Sequence, residues 1–209
     1  MNKEKLEQVK DECALFGHKV QAYVCDVSNE ALVNDVAAKV LAHFGKIDIV
    51  VNNAALWREF APFTELSTES WRTFLNVNLL GTVYVTKAFL PQMLDRGYGR
   101  IVNVASVAGV YGNKKMSHYS ATKGAVIAFT KALAKEVADK GVTVNAVSPG
   151  TVSDSSNENI DAIKPSDMNY TGRTGSDREN ADLICFLASN AASYICGQNI
   201  QIDGCRRLL

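Results

Sequence analysis

Residues 101–150 read IVNVASVAGVYGNKKMSHYSATKGAVIAFTKALAKEVADKGVTVNAVSPG, and the reading of this stretch decides the fold. Ile101 to Ala105 is a short apolar, β-branched run that reads as a strand closed by Ser106. A helix carrying Tyr119 then runs to Lys140, Gly141 stops it, and Val142 to Val147 is a second strand. A strand, a helix and a strand in succession place two parallel strands side by side with the helix on one face.

The same alternation extends outward. Ile47 to Val51 reads as a buried parallel strand, followed by a long helical stretch from about Thr68 to Leu94 with bends expected at Gly81 and Pro91. Upstream, Ser28 is the expected cap of a helix whose Leu32, Val33, Val36, Val40 and Phe44 form an apolar stripe ending at Gly45. Asn2 to Ala14 places Leu6, Val9 and Cys13 at helical spacing, with Gly17 as a stop. Val20, Ala22 and Val24 alternate with polar neighbours as in a strand ending at Asp26-Val27. Downstream, Ser176 with Glu179 three residues on forms a capping box for a helix through Leu183, Phe186 and Leu187, and Asn199 to Ile202 supplies the last strand. The expected fold class is α/β, a doubly wound, Rossmann-like parallel sheet, with ligands bound at the carboxyl ends of its strands. Asp26, Asn53, Ser106 and Pro149-Gly150 all follow strand-like segments and line that edge.

Composition narrows the function classes. The chain has 209 residues, nearly half of them apolar, enough for one domain with a sizeable core. Twenty-two basic and 22 acidic residues balance, which argues against nucleic acid or an anionic membrane as a partner held by bulk charge. No apolar run approaches the roughly 20 residues of a membrane span, and Met-Asn-Lys-Glu-Lys lacks the apolar core of a signal peptide, so a cytoplasmic location is expected. Five cysteines (13, 25, 185, 196, 205) form no C-x-x-C and no metal cluster, as suits reduced thiols. His118, the residue before Tyr119, reads as a loop histidine, solvated in preference to lining the substrate cleft.

Chemistry concentrates at Tyr119 and Lys123. Four residues apart on a helix, they project from one face. A free tyrosine has a pKa of about 10 and is a poor proton donor or acceptor near neutrality. An ammonium beside it is expected to favour the phenolate and bring Tyr119 into range as a general acid or base.

Tyr119 and Lys123, with Ser106 before them, Asn78 in Asn-Val-Asn-Leu-Leu-Gly, Asn52-Asn53-Ala54-Ala55 and Asn145-Ala146-Val147-Ser148-Pro149-Gly150, occur in one order that resembles the short-chain dehydrogenase/reductase family from Asn2 to about Asp203. Within it the pattern is similar to the 3-oxoacyl-carrier-protein reductase and the hydroxysteroid or sugar-alcohol dehydrogenase branches. The resemblance implies an oxidoreductase that interconverts a carbonyl and a secondary alcohol with NAD or NADP, acting on a small molecule as a homo-oligomer, dimer or tetramer. It makes Tyr119 the proton donor in reduction and the base in oxidation, with Ser106 hydrogen-bonding the carbonyl oxygen. Lys123 would hydrogen-bond the nicotinamide ribose, and Asn78 would hold a water linking Lys123 to solvent. Asp26 and Val27 would lie beside the adenine and Asn53, Ala54 and Ala55 against the adenosine ribose. Pro149 and Gly150 would line the cofactor site, and Val152 would orient the carboxamide by its backbone. Asp26 also reads simply as a turn residue leading a helix, and Asn53 as a satisfied turn amide.

The chain departs from that family in several places. The Gly-rich turn that cradles a pyrophosphate is not found, since the glycines at 97, 99, 109, 112 and 124 are scattered and Gly172-Arg173-Thr174-Gly175 precedes a late helix. The expected domain is therefore 1–209, a Rossmann-like domain N-terminally truncated by two strands and a helix. The family strand order 3-2-1-4-5-6-7 then predicts either a gap between the Val20–Val24 and Ile47–Val51 strands or direct pairing of the two. Ala55 stands where glycine is usual, and Asp154 where a threonine is common, a carboxylate that would repel a pyrophosphate. The polar segment Ser153 to Thr171 corresponds to the family's substrate lid, and Trp57 and Arg58 either shape the cleft or pack a loop. Three readings stay open: an NAD(P)-dependent oxidoreductase, a cofactor-free partner subunit or binding module, and an inactive fragment.

Overall fold

Four parallel strands form one sheet in the order β1-β2-β3-β4 in the computed structural model, which describes residues 3–153 and 159–207. β1 is Ile49–Asn52, β2 Gly99–Val104, β3 Val142–Pro149 and β4 Asn199–Ile202. The register aligns Val50 with Ile101 and Ile101 with Val144. These three side chains lie on one face, in a core shared with Met93, Leu133 and Val137. Val102 and Val147 point the other way and meet Leu187 and Ala192. Strands buried on both faces are largely apolar runs, and the polar residues within β2 and β3, among them Asn103, Thr143 and Asn145, are buried as well.

Helices cover both faces. α2 (Glu30–Phe44) packs against α4 (Gly81–Arg96), and α4 and α6 (Ser117–Val137) lie over the Ile101 face. α6 buries His118, Thr122, Val126, Thr130, Ala134 and Val137 at three- and four-residue spacing. α7 (Asp177–Ala188) covers the Val102 face, and its predicted capping box is present, Ser176 accepting from the Glu179 backbone while Glu179 accepts from the Ser176 backbone. α3 (Thr68–Phe74) runs into α4 through a π-helical turn, Leu75–Leu80, so the long expected helix is interrupted at Asn78 and not at Gly81. A short helix, α5 (Val107–Tyr111), follows β2 directly.

The N-terminal region departs from expectation. α1 (Lys3–Ala14) buries no residue, so its Leu6, Val9 and Cys13 stripe meets no core. No strand forms over Val20–Val24, and residues 18–26 carry no ladder. Alternation makes a strand only where a neighbour accepts from its N–H groups and donates to its C=O groups, and β1 does not pair with this segment. Direct pairing of 20–24 with 47–51 is thereby excluded, and a gap between two formed strands is absent too. The cap of α2 is Asn29, whose side chain accepts from Leu32, because Ser28 is turned back to Asp26.

Candidate active site

The carboxyl ends of β1, β2 and β3 bring together the segments that carry the predicted residues. β2 ends at Val104, and two residues on Ser106 caps α5, its Oγ accepting from the Ala108 N–H at 3.1 Å. One acceptor position is thus occupied and the hydroxyl proton stays free to donate. The Ser106 hydroxyl faces Tyr119 closely enough to favour the phenolate, and both residues line the same cavities. α6 reaches Ser106 because α5 and α6 touch backbone to backbone: a Cβ on Gly109 would stand 2.5 Å from the Lys123 carbonyl carbon and 2.6 Å from the Gly124 nitrogen. Only glycine at 109 permits that approach.

Lys123 is almost wholly buried, and its Nζ donates to the Val104 carbonyl at 2.6 Å. Burial disfavours the ammonium and brings its pKa down to about 8. Tyr119 goes the other way. Desolvation raises the phenol above its ordinary value, the facing Ser106 hydroxyl opposing without prevailing. The expected lowering of Tyr119 by Lys123 therefore does not occur here: the ammonium sits 5.9 Å from the ring centroid and is held by a backbone carbonyl.

Asn78, in the π-helical turn, clamps the segment after β1. Its Oδ1 accepts from the Leu56 N–H at 2.7 Å, and its Nδ2 donates to the Leu56 carbonyl at 2.9 Å and to Thr122 Oγ1 at 3.2 Å. With 1% exposure it ties residues 53–57 to the turn of α6 between Tyr119 and Lys123. π-helical turns recur where a helix must present a side chain inward, as this one presents Asn78.

Asn53, Ala54, Ala55, Ser106, Tyr119, Lys123, Pro149 and Gly150 all line one cavity of about 480 Å³. A neighbouring cavity of about 560 Å³ shares Ser106, Tyr119 and Gly150 with it and adds Val152 and Phe60; Trp57 lines both. Trp57 thus belongs to the cleft, stacked under Arg58 at 4.8 Å. Val27 lines a small pocket of about 90 Å³ with Ala54 and Gly81. Asp26 lines none of these cavities. Its carboxylate accepts from Ser28 N and Oγ, which lower its pKa, so its geometry is that of a helix-leading turn. Asp154 lies outside the described residues. Among those described, no group of His, Cys, Asp and Glu is placed to hold a metal, and no helix is long and apolar enough to cross a membrane.

His118 overturns its sequence reading. It is fully buried in α6, its Nε2 3.3 Å from Glu59 Oε2 and its ring 3.9 Å from that of Phe74. The sequence reading also missed Thr122, Asn113 and Arg206. Asn113 receives the Arg206 guanidinium at 3.0 Å and donates its own N–H to Ser120, the residue after Tyr119. The only trace of Arg206 in the sequence is a basic pair just after the last strand.

Comparison with known proteins agrees with this geometry. A family model described as Enoyl-(Acyl carrier protein) reductase matches residues 1–205. The 3-oxoacyl-(acyl-carrier-protein) reductase FabG of Thermotoga maritima is 38% identical over 207 residues, covering 98% of this chain and 84% of that protein. The structure of an NAD+-bound xylitol dehydrogenase superposes with a TM-score of 0.87 at 32% identity, over 98% of this chain and 86% of its own. That of ElxO with NADP bound gives 0.88 at 32% identity, over 97% of this chain and 84% of its own.

Proposed function

The chain belongs to the short-chain dehydrogenase/reductase family, and on that premise we propose that it is an NAD(P)-dependent oxidoreductase interconverting a carbonyl and a secondary alcohol, with Tyr119 as its general acid and base. The observation that carries the reading is that Ser106 and Tyr119 stand together on the wall shared by two cavities, with Lys123 lining one of them.

One cavity suits the dinucleotide and the other the substrate. Lys123 has one of its three N–H donors on Val104 and two left for ribose hydroxyls, and the backbone of Asn53–Ala55 and Pro149-Gly150 completes the wall. These residues fit the nicotinamide riboside half; among the described residues no glycine-rich helix N-terminus borders the cavity for the pyrophosphate. When bound, the dinucleotide supplies a hydride to the carbonyl carbon, or accepts one from the alcohol carbon.

In reduction the Tyr119 hydroxyl gives its proton to the carbonyl oxygen, and the product is the neutral secondary alcohol. The Ser106 hydroxyl donates to the same oxygen as negative charge develops on it. In oxidation the proton returns to Tyr119. Lys123, with a pKa of about 8, exchanges a proton near neutrality and restores the phenol. Asn78 acts at one remove, by fixing Leu56 and Thr122 so that the cavity wall and α6 keep their spacing.

The substrate is a small carbonyl or alcohol compound, and we place the protein in the cytosol as a homo-oligomer; its cysteines are free thiols, as suits a reducing compartment. Calorimetric titration with NADH and NADPH, followed by turnover of ethyl acetoacetate, tests the assignment. Tyr119→Phe keeps dinucleotide binding while turnover falls on the order of a hundredfold to ten-thousandfold. Undiminished turnover in that variant, or no dinucleotide binding by the folded wild type, overturns the reading.

A further inference from the structure

Beyond the reacting end, the cleft continues. The 560 Å³ cavity adjoins another of about 570 Å³, and Phe60, Asn113, Met116 and Arg206 line both. Arg206 is the only charged residue common to the two. Its backbone is fixed by an antiparallel bridge to Asn169 and by donation from its N–H to Asp203 Oδ1 at 3.3 Å. Its guanidinium is aimed by Asn113, whose amide oxygen accepts from Nη2 at 3.0 Å, and Asn113 in turn is bonded to Ser120 on the helix of Tyr119.

An amide oxygen orients a guanidinium without neutralising it. Among the described residues no carboxylate pairs with Arg206. The carboxylate lining the first cavity, Asp177, opens α7, where the helix N-terminus favours negative charge. The second cavity adds Lys114 and Arg207 and no acid, and its remaining wall includes Tyr111 and Met168. With one of five N–H donors used, Arg206 offers a planar fork suited to bidentate anion recognition.

We propose that Arg206 is a specificity-determining residue that selects carbonyl substrates bearing an anionic group, a carboxylate or a phosphate monoester, joined to the reacting carbonyl by a short apolar stretch lying on Phe60 and Met116. The carbonyl end of this proposal rests on the oxidoreductase reading above; the anion end rests on the cavity and on Arg206 itself.

Two measurements separate the parts. The first needs no cofactor: calorimetric titration of the chain with hexanoate, hexyl phosphate and hexanamide. At least one anion binds about tenfold or more tightly than the amide, the better of the two identifying the source of the charge. Arg206→Met abolishes the preference and Arg206→Lys keeps part of it. Equal affinity of all three for the wild type overturns the anion site. The second is turnover of acetoacetate, 4-oxopentanoate and 6-oxoheptanoate against their methyl esters. The acid-over-ester ratio of kcat/KM is largest at one chain length and falls about tenfold or more in Arg206→Met, chiefly through KM, with partial rescue in Arg206→Lys. Equal losses on acid and ester reduce Arg206 to a structural role and sink the proposal. Anion binding without turnover of any compound sinks the oxidoreductase reading and leaves the anion site standing; turnover without acid preference does the reverse.

Discussion

The two flanks of the sheet obey different rules. At β2 and β3 every strand residue from Arg100 to Asn103 and from Val142 to Ser148 is buried, with α4 and α6 on one face and α7 on the other. At β1 only the α4 face is covered: Val50 and Asn52 are buried, whereas Ile49 and Val51 are 45% and 42% exposed. A parallel strand depends on cover from both sides, and β1 has it from one. The residues proposed for chemistry are divided accordingly. Ser106, Tyr119, Lys123 and Gly150 hang from the fully covered flank, where little can shift. The Asn53–Trp57 wall hangs from the open one and is held in place by Asn78, a side chain from outside the sheet.

The contrast is broken or kept most clearly by one pair of truncations. Ile101→Ala empties a site of 1% exposure in the middle of the covered flank and is expected to cost about 2–5 kcal/mol. Ile49→Ala, one strand position from Val50, the register partner of Ile101, and therefore on the opposite pleat, is expected to cost less than about 0.5 kcal/mol. Urea denaturation of both variants reads the difference. Equal costs would mean that β1 is covered from both sides in solution, and the distinction between the flanks would fall.

Lys123 sharpens the contrast by putting a charge into the dry flank. Its folded pKa of about 8 lies below that of an unfolded lysine, near 10.5. Below about pH 8 both states hold the proton and the folded state bears the full cost of burying the ammonium. As pH rises through 8 towards 10, the folded chain releases a proton that the unfolded chain keeps, so stability rises. The gain is about 3 kcal/mol if the window is traversed completely. Wild type and Lys123→Met compared by urea midpoint across that range should differ in slope, the variant lacking the rise. Parallel slopes would show that the ammonium is solvated in the folded chain.

Much of this arrangement was legible in residues 101–150, because there local signals and tertiary context agree. A β-branched run, a helix ended by Gly141 at φ 76° and a second run needed no distant information, and the reactive residues follow from where those elements end. The capping box at Ser176 was equally local. What escaped the sequence was set from afar. The alternation at Val20–Val24 carries no record of whether a partner strand stands beside it. His118 is buried because Glu59 and Phe74 meet it, residues that no spacing rule connects to Tyr119. Spacing put Lys123 on the face of Tyr119 correctly, yet the Val104 carbonyl, on another element, decides where the ammonium goes and hence the direction of the tyrosine shift. Arg206 meets Asn113 across 93 residues, and only the folded chain makes that pair a feature of the cleft.

The smallest expected effect concerns a buried polar link between the flanks. Asn52, the last residue of β1, donates from Nδ2 to Asn103 Oδ1 at 2.8 Å and to Thr86 Oγ1 at 3.0 Å; Asn103 then donates to Thr130 Oγ1 at 2.9 Å, and Thr130 to the Val126 carbonyl. All four side chains are buried, so deleting either amide strands the partners of the other, at about 1–3 kcal/mol for each single change. Since the two amides share one bond, the double variant Asn52→Ala/Asn103→Ala should cost less than the sum of the singles, with a coupling of about 1 kcal/mol. Additive losses would mean that the amides act separately. In that case β1 would be held at the sheet by its ladder and Val50 alone, and the tether that keeps the Asn53–Trp57 wall opposite Tyr119 would reduce to the Asn78 clamp.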